Sequence, residues 1–211
     1  MIQTPVIVTF ANQKGGVGKT TLCVTFANYL VTKGKRVLVI DCDTQQSVAK
    51  CRKADIRKYG EEHIPYDVLA YGADDRQAMT ALMERLRNEP GMDVVLMDSP
   101  GSLKADGLIP MFVNSDIIIV PFHYDLVTVP STASFLMFTD RLRKAAAQGN
   151  GGCCMSGRCL SLSCLMYIRF FLTLVGQGYF WVVDAFDKVV YFRNVFCHCV
   201  MGLMVTDYCS F

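Results

Sequence analysis

The sequence predicts an α/β fold in which a mostly parallel sheet is covered by helices on both faces. Across residues 1–150, short apolar runs alternate with stretches of helical periodicity, which is typical of such a sheet. A glycine-rich loop, Gly15-Gly16-Val17-Gly18, separates the first run from the first helix. Loops at that position lie at the carboxyl ends of the strands, where parallel α/β folds bind ligands.

The elements follow from apolar runs, from helical spacing and from Gly and Pro breaks. Strands are expected at residues 6–11, 36–41, 66–70, 93–98 and 116–121. Helices are expected at residues 20–32, 45–59, 75–88 and 129–147. Gly34 ends the first helix, and Pro90-Gly91 ends the third. A chain of 211 residues is long enough for one such domain with its own core.

Residues 151–211 depart from this pattern and are treated as a separate segment from residues 1–150. They hold seven of the ten cysteines, no Glu and no Pro. Short strands are expected only at residues 179–183 and 189–192, so the C-terminal part is irregular or incomplete. Three origins are open: a divergent end of the same domain, a membrane-associated stretch, or translation in a shifted frame. The shifted frame is favoured.

The loop itself predicts a phosphate cradle. Backbone N–H groups in a glycine-rich turn converge on an anion, and the N-terminus of the following helix adds its positive dipole end. Lys19 would place its ammonium on the outer phosphates, and the Thr20 hydroxyl would bind Mg²⁺. The substrate expected from this pattern is a nucleoside triphosphate. The residues expected to bind it are Gly15, Gly16, Val17, Gly18, Lys19, Thr20 and Thr21.

Three aspartates stand at the ends of predicted strands. Asp41 and Asp43 close the second strand, and Asp98 closes a later one and is followed by Ser99-Pro100-Gly101. Triphosphate hydrolysis needs carboxylates for Mg²⁺ and for the attacking water. An aspartate at a strand end can also serve simply as a helix cap, and capping can coexist with catalysis.

The amino-acid sequence of the loop indicates a family resemblance that extends over about residues 5–148. The position six residues before Lys19 is Gln13 rather than Gly, and a second lysine, Lys14, precedes the paired glycines. This resembles the deviant Walker A motif of the ParA/MinD ATPases. The resemblance implies a P-loop NTPase-like fold with ATP and Mg²⁺ as cofactors. It implies that Lys14 crosses an ATP-sandwich dimer interface and has, with Lys19 and Asp43, a catalytic role.

The same resemblance assigns roles to the acidic residues. Asp43 positions the water that attacks the γ-phosphate, and Asp41 lies nearer the metal and phosphate shell. Asp98 corresponds to a Walker B aspartate that holds Mg²⁺. The metal set is therefore Thr20, Asp41 and Asp98. Gly101, in the switch loop, lets the backbone approach the γ-phosphate.

The favoured function is that of a partition ATPase, ParA-like, that switches between monomer and ATP-dependent homodimer in plasmid or chromosome partitioning. In the family a ParB-like partner stimulates hydrolysis, and the dimer binds DNA without sequence preference. The net charge of +2 is too small to create a protein-wide positive potential that would attract nucleic acid. Residues 151–211 contain four basic residues, and this small number weighs against DNA binding. Those residues are Arg158, Arg169, Lys188 and Arg193.

Two rival functions remain. A MinD-like membrane-recruited regulator would need a basic amphipathic C-terminal helix, and residues 200–211 contain no Lys or Arg. A truncated fragment without function is the other. No signal peptide is recognised at the N-terminus, and charged and polar residues interrupt the apolar stretch 160–183. The expected location is therefore cytoplasmic, without stable membrane insertion.

Overall fold

The central feature of the fold is a six-stranded parallel sheet, as the alternating sequence pattern predicts. The computed structural model describes residues 4–122 and 126–148, and the backbone of the strand segments 163–164, 167–168, 179–183 and 189–193. The strand order is β3-β2-β4-β1-β5-β6, and every neighbouring pair is parallel. The strands are β1 (Val6–Phe10), β2 (Val37–Asp41), β3 (Asp67–Ala70), β4 (Val94–Asp98), β5 (Ile117–Ile119) and β6 (Ser163–Cys164).

Five helices connect or flank these strands. They are α1 (Lys19–Thr32), α2 (Ser47–Tyr59), α3 (Arg76–Arg87), α4 (Leu108–Val113) and α5 (Thr128–Gln148), and a short 3₁₀ turn covers Glu61–His63. The sequence analysis missed α4, because six apolar residues that include a proline suggest neither a strand nor a helix. Pro110 occupies the first turn of α4, where its missing N–H has no intrahelical partner to lose.

The helices cover both faces of the sheet, and the period-two alternation of the strands divides the core between them. Ile7 packs in one cluster with residues of α3, α4 and α5, and its neighbour Val8 packs in the other with residues of α1. Val95 and Leu96 of β4 divide in the same way. Central strands buried on both faces explain why the sequence shows continuous apolar runs rather than polar alternation.

The strand register brings the predicted acidic residues to one edge. Asp41 at the end of β2 is the direct partner of Asp98 at the end of β4, and Phe10 at the end of β1 is the partner of the same Asp98. The loop that follows β1 therefore begins beside both aspartates. The functional site is expected at this carboxyl edge.

A small antiparallel sheet of order β7-β8-β9 follows in the chain. Its strands are β7 (Tyr167–Ile168), β8 (Tyr179–Val183) and β9 (Val189–Arg193). Strands β8 and β9 correspond to the two short strands that the sequence predicts there. The rest of 149–211 lies outside the described residues, so the division at residue 150 and the origin of the segment stay predictions. No helix in the described part of the chain combines the length and apolarity needed to cross a membrane.

Candidate functional site

The loop between β1 and α1 has the backbone conformation of an anion cradle. Gly16 has φ 74° and Gly18 has φ 89°. Residues that carry a Cβ rarely adopt these backbone conformations. Gly18 immediately precedes α1, so the unpaired N–H groups of the first turn face the loop. Val17 turns into the core and anchors the loop from beneath.

A pocket of about 280 Å³ opens above this loop. Its lining contains every residue predicted for the cradle except Val17, and it also contains Asp43 and Gly101. The lining residues are Gly15, Gly16, Gly18, Lys19, Thr20, Thr21, Asp43 and Gly101. Residues from three separate loops therefore meet at one concave surface.

Lys19 supplies a buried cation to this pocket. The residue is only 6% exposed, and its ammonium donates a hydrogen bond to the carbonyl oxygen of Lys14 at 3.1 Å. Burial lowers the pKa of Lys19, and the nearby Asp98 and Asp43 carboxylates oppose that shift. A single neutral carbonyl is a weak partner for a buried ammonium, so an anion in the pocket would bind it more strongly.

Asp98 lies beneath the cradle, with its carboxylate buried beside the Thr20 hydroxyl. The residue is 1% exposed, and Thr20 supplies the side-chain hydrogen bond that acts on this carboxylate. The pKa of Asp98 is raised to about 7, chiefly because burial disfavours the charged carboxylate. Within that net rise, the Thr20 hydrogen bond and the Lys19 ammonium lower the pKa, while Asp41 and Asp43 raise it.

This arrangement fits a hard divalent cation. Carboxylate and hydroxyl oxygens are the ligands that Mg²⁺ prefers, and the Asp98 carboxylate and the Thr20 hydroxyl lie within hydrogen-bond reach of each other. Within the described part of the chain, no group of three or more Asp, Glu, His or Cys side chains forms a metal cage. A cation here would therefore take its remaining ligands from water and from ligand phosphates, as Mg²⁺ commonly does.

The two aspartates after β2 are placed differently. The Asp43 carboxylate lines the pocket, and its Oδ1 accepts the N–H of Gln45 at 2.8 Å. The Asp41 carboxylate is 1% exposed and accepts the N–H of Asp43 at 3.3 Å and of Ala49 at 3.0 Å. Asp41 therefore connects the loop that carries Asp43 to the first turn of α2. This is the helix-capping role that the sequence analysis considered as an alternative to metal binding.

Gly101 closes the pocket from the β4 side. A Cβ built at Gly101 would lie 3.5 Å from the Cα of Gly15 and 3.6 Å from the Nζ of Lys19. A side chain here would occupy the space directly over the cradle lysine. Gly101 thus keeps room for a ligand atom between its own backbone and Lys19.

Lys14 and Asn12 complete the loop. The side chain of Lys14 is half-buried and is not among the pocket-lining residues. Asn12 is a buried residue that the sequence analysis did not assign to the site, although its amide binds the backbone of Lys14. The sequence feature that could have identified Asn12 is a polar side chain directly after an apolar strand. A buried amide at such a position needs hydrogen-bond partners within the fold.

Asp98 gives the free protein a testable pH dependence. Its pKa in the folded chain, about 7, lies above its ordinary value of 3.8. The folded chain therefore holds a proton that the unfolded chain releases, and stability falls as the pH rises from 4 to 7. We expect Asp98→Asn to stabilise the metal-free protein at pH 8 by up to about 4 kcal/mol, since each pKa unit is worth about 1.4 kcal/mol.

The measurement is urea unfolding with a chelator present, at pH 8 and at pH 4.5. The gain from Asp98→Asn should shrink at pH 4.5, where most of the folded-state Asp98 is protonated. Asp106→Asn, at an exposed position of the loop before α4, is the matched control and should change stability little at either pH. An equal gain at both pH values would show that Asp98 is not the group that titrates.

Known proteins share both the sequence pattern and this fold. The model of the CobQ/CobB/MinD/ParA nucleotide-binding domain matches residues 8–177. The chain is 31% identical over 161 residues to the chromosome-partitioning ATPase Soj of Thermus thermophilus, a match covering 64% of this chain and 62% of the relative. The chain spans less than two thirds of the length of these curated relatives, including an uncharacterised protein of Pseudomonas putida that is also 31% identical.

Solved structures give the same result. A plasmid partition protein from Borrelia burgdorferi superposes with a TM-score of 0.55 at 26% identity, over 66% of this chain and 74% of that one. Cobyrinic acid a,c-diamide synthase from Mycobacterium smegmatis, with a bound ATP analogue and magnesium, superposes with a TM-score of 0.56 at 22% identity. That match covers 67% of this chain and 70% of the synthase, and it shows a shared fold.

Proposed function

This chain belongs to the CobQ/CobB/MinD/ParA family of nucleotide-binding domains, and from that premise we propose that it is a Mg²⁺-dependent ATPase of the partition type. The observation that carries the proposal is the buried carboxylate of Asp98 beneath the cradle, beside the Lys19 ammonium and the Thr20 hydroxyl. An acid buried this deeply is costly in a merely structural site. It is useful in a site that binds a cation and a triphosphate together.

In this proposal the triphosphate lies in the cradle with its outer phosphates on Lys19. The N–H groups of Gly15, Gly16 and Gly18 and of the first turn of α1 surround the phosphate oxygens. Thr20 and Asp98 would hold Mg²⁺, which neutralises phosphate charge when it is bound. Asp41 supports the same edge by holding the Asp43 loop and α2 in place.

We assign Asp43 the role of orienting the water molecule that attacks the γ-phosphate. The oxygen of a water molecule attacks the γ-phosphorus, the bond between that phosphorus and the bridging oxygen breaks, and ADP and inorganic phosphate result. The Oδ1 of Asp43 is held by the N–H of Gln45, so its orientation is fixed and Oδ2 can accept a hydrogen bond from the water. Gly101 leaves the space over Lys19 that the γ-phosphate needs.

The monomer is proposed to pair with a second copy when ATP is bound. Two triphosphates that face each other repel strongly in a site from which water is excluded. Lys14, half-buried at the rim rather than inside the pocket, would place an ammonium on the partner's phosphates and offset that repulsion. Dimer assembly would then depend on the nucleotide.

The proposed biological role is plasmid or chromosome partitioning in the cytoplasm, with a ParB-like protein that stimulates hydrolysis. The identity to a chromosome-partitioning ATPase and to a plasmid partition protein supports this role over that of a membrane-recruited regulator. Residues 1–150 are proposed to carry the ATPase machinery. DNA binding would fall to surfaces outside the pocket.

Lys14→Gln tests the dimer. In a hydrolysis-blocked Asp43→Ala background, we expect this change to weaken ATP-dependent dimerisation by about tenfold or more, because a charge pair across the interface is lost. ATP affinity of the monomer should change little, since Lys14 does not line the pocket. Sedimentation velocity with and without ATP gives the dimer fraction, and calorimetry gives the affinity.

Lys35→Gln is the matched control, because Lys35 is exposed before β2, at the opposite edge of the sheet. It should leave the dimer fraction unchanged. Equal dimer fractions with Lys14 and with Gln at position 14 would refute the role of Lys14 across the interface. Absence of an ATP-dependent dimer even with Lys14 in place would refute the dimer itself.

A further inference from the structure

Asn12 stands at the junction between β1 and the cradle, and its side-chain amide is fully used. The residue is 1% exposed. Its Nδ2 donates to the carbonyl oxygen of Pro121 at 2.8 Å and to the Thr132 hydroxyl at 3.0 Å. Its Oδ1 accepts the N–H of Lys14 at 3.1 Å. One amide thus connects the end of β5, the first turns of α5 and the start of the cradle.

These contacts join segments that are far apart in the sequence. Pro121 and Thr132 lie 109 and 120 residues from Asn12, whereas Lys14 lies two residues away. An amide offers two donors and an acceptor in one plane. No other side chain of this size combines two donors with an acceptor. Aspartate would lose the donors, and leucine would lose every bond.

The backbone of Lys14 is held from two sides. Asn12 binds its N–H, and the ammonium of Lys19 binds its carbonyl oxygen at 3.1 Å. The second of these bonds is one that a bound triphosphate would compete for, because phosphate is a stronger partner for an ammonium than a carbonyl is. Asn12 does not line the pocket, so a bound triphosphate would not compete directly for its bond.

The far side of this connection leads to an exposed surface. Thr132 is buried on α5, and Leu126, two residues before that helix begins, is 95% exposed. Asn12 therefore lies between the Lys14 backbone and the buried side of α5.

We propose that Asn12 is a positioning residue that fixes the Lys14 backbone against β5 and α5 and so sets the direction in which the Lys14 side chain leaves the loop. The positioning concerns the free chain. Its consequence for assembly rests on the proposed ATP-dependent dimer. Asn12 touches neither phosphate nor water in this role and acts only through Lys14.

The first test measures amide hydrogen exchange at the Lys14 N–H of the nucleotide-free protein, with NMR as the detection method. We expect Asn12→Ala to speed exchange at the Lys14 N–H by about tenfold, as the loss of a hydrogen bond worth roughly 1 kcal/mol or more implies. Thr132→Val removes one acceptor of the Asn12 amide and should give a smaller increase, about threefold. Asn28→Ala, at an exposed position of α1, is the control and should leave Lys14 unchanged.

The second test is a double-mutant cycle on dimerisation in the Asp43→Ala background. With Lys14 present, Asn12→Ala should weaken the ATP-dependent dimer by about tenfold. In a Lys14→Gln chain the same change should add nothing, because Asn12 then has no ammonium to position. A merely structural asparagine would weaken the dimer equally in both chains.

Unchanged exchange at Lys14 in both Asn12→Ala and Thr132→Val overturns the proposal, and so does an equal loss of dimer in the two arms of the cycle. If Asn12→Ala does not fold, Thr132→Val carries both tests at its smaller expected size. If the Asp43→Ala chain forms no ATP-dependent dimer, the dimer of the proposed function fails. The exchange result alone then decides the role of Asn12.

Discussion

Lys19→Ala is expected to abolish measurable ATP binding. The ammonium is the buried cation of the pocket, and Asp98 and Asp43 lie close enough to raise its pKa. Without it, a triphosphate would meet those two carboxylates with no opposing charge from Lys19. Truncating one partner of a buried charge pair commonly costs 2–5 kcal/mol, which corresponds to an affinity loss of about thirtyfold to several-thousandfold, and we expect a loss toward the upper end.

The measurement is calorimetric titration with a non-hydrolysable ATP analogue and Mg²⁺. Lys50→Ala, at an exposed position of α2, is the control and should bind as the parent does. Circular dichroism shows whether the variant keeps its fold. An affinity within a few-fold of the parent would show that the pocket above α1 is not the phosphate site.

The same variant has a second consequence at Asp98. The Lys19 ammonium lowers the pKa of that carboxyl, so its removal shifts the pKa upward from about 7. A shift in this direction favours the protonated form of Asp98, which would weaken it as the Mg²⁺ ligand of the proposed site.

The sequence was sufficient for the parts of the site that depend on local conformation. The glycine-rich sequence predicts a tight loop between β1 and α1, and Gly16 and Gly18 have positive φ there. Apolar runs ending in aspartate predict parallel strands with acids at one edge, and the register pairs Asp41 with Asp98. The loop and the strand ends are local features, and the shared edge follows because the carboxyl ends of parallel strands lie on the same side of a sheet.

The parts that the sequence did not reveal depend on distant partners. The capping bonds of Asp41 need α2 to begin at Ser47, after Gln46 takes a left-handed conformation with φ 50°. The bonds of Asn12 reach across more than a hundred residues. A side chain's hydrogen bonds to remote backbone are fixed by tertiary packing, which no local pattern encodes.

Asp43→Ala is expected to retain ATP binding and lose hydrolysis. The Asp43 carboxylate lines the pocket, whereas the loop and Lys19 make the phosphate contacts in the proposed mechanism. Its loss removes one bond to the N–H of Gln45 in an exposed turn, so the fold should tolerate the change. A positioned base or water-orienting group contributes about 10²–10⁴-fold to the rate, and we expect a loss in that range.

Steady-state phosphate release at saturating ATP measures the loss, and calorimetry confirms that binding persists. Asp74→Ala, at an exposed position after β3, is the matched control and should hydrolyse ATP at the parental rate. Because the bound ATP is no longer consumed, the variant should also accumulate as an ATP-dependent dimer in sedimentation. Unchanged phosphate release would remove Asp43 from the mechanism and leave its neighbour Asp41, whose oxygens are held by two backbone N–H groups, as the remaining carboxylate of this loop.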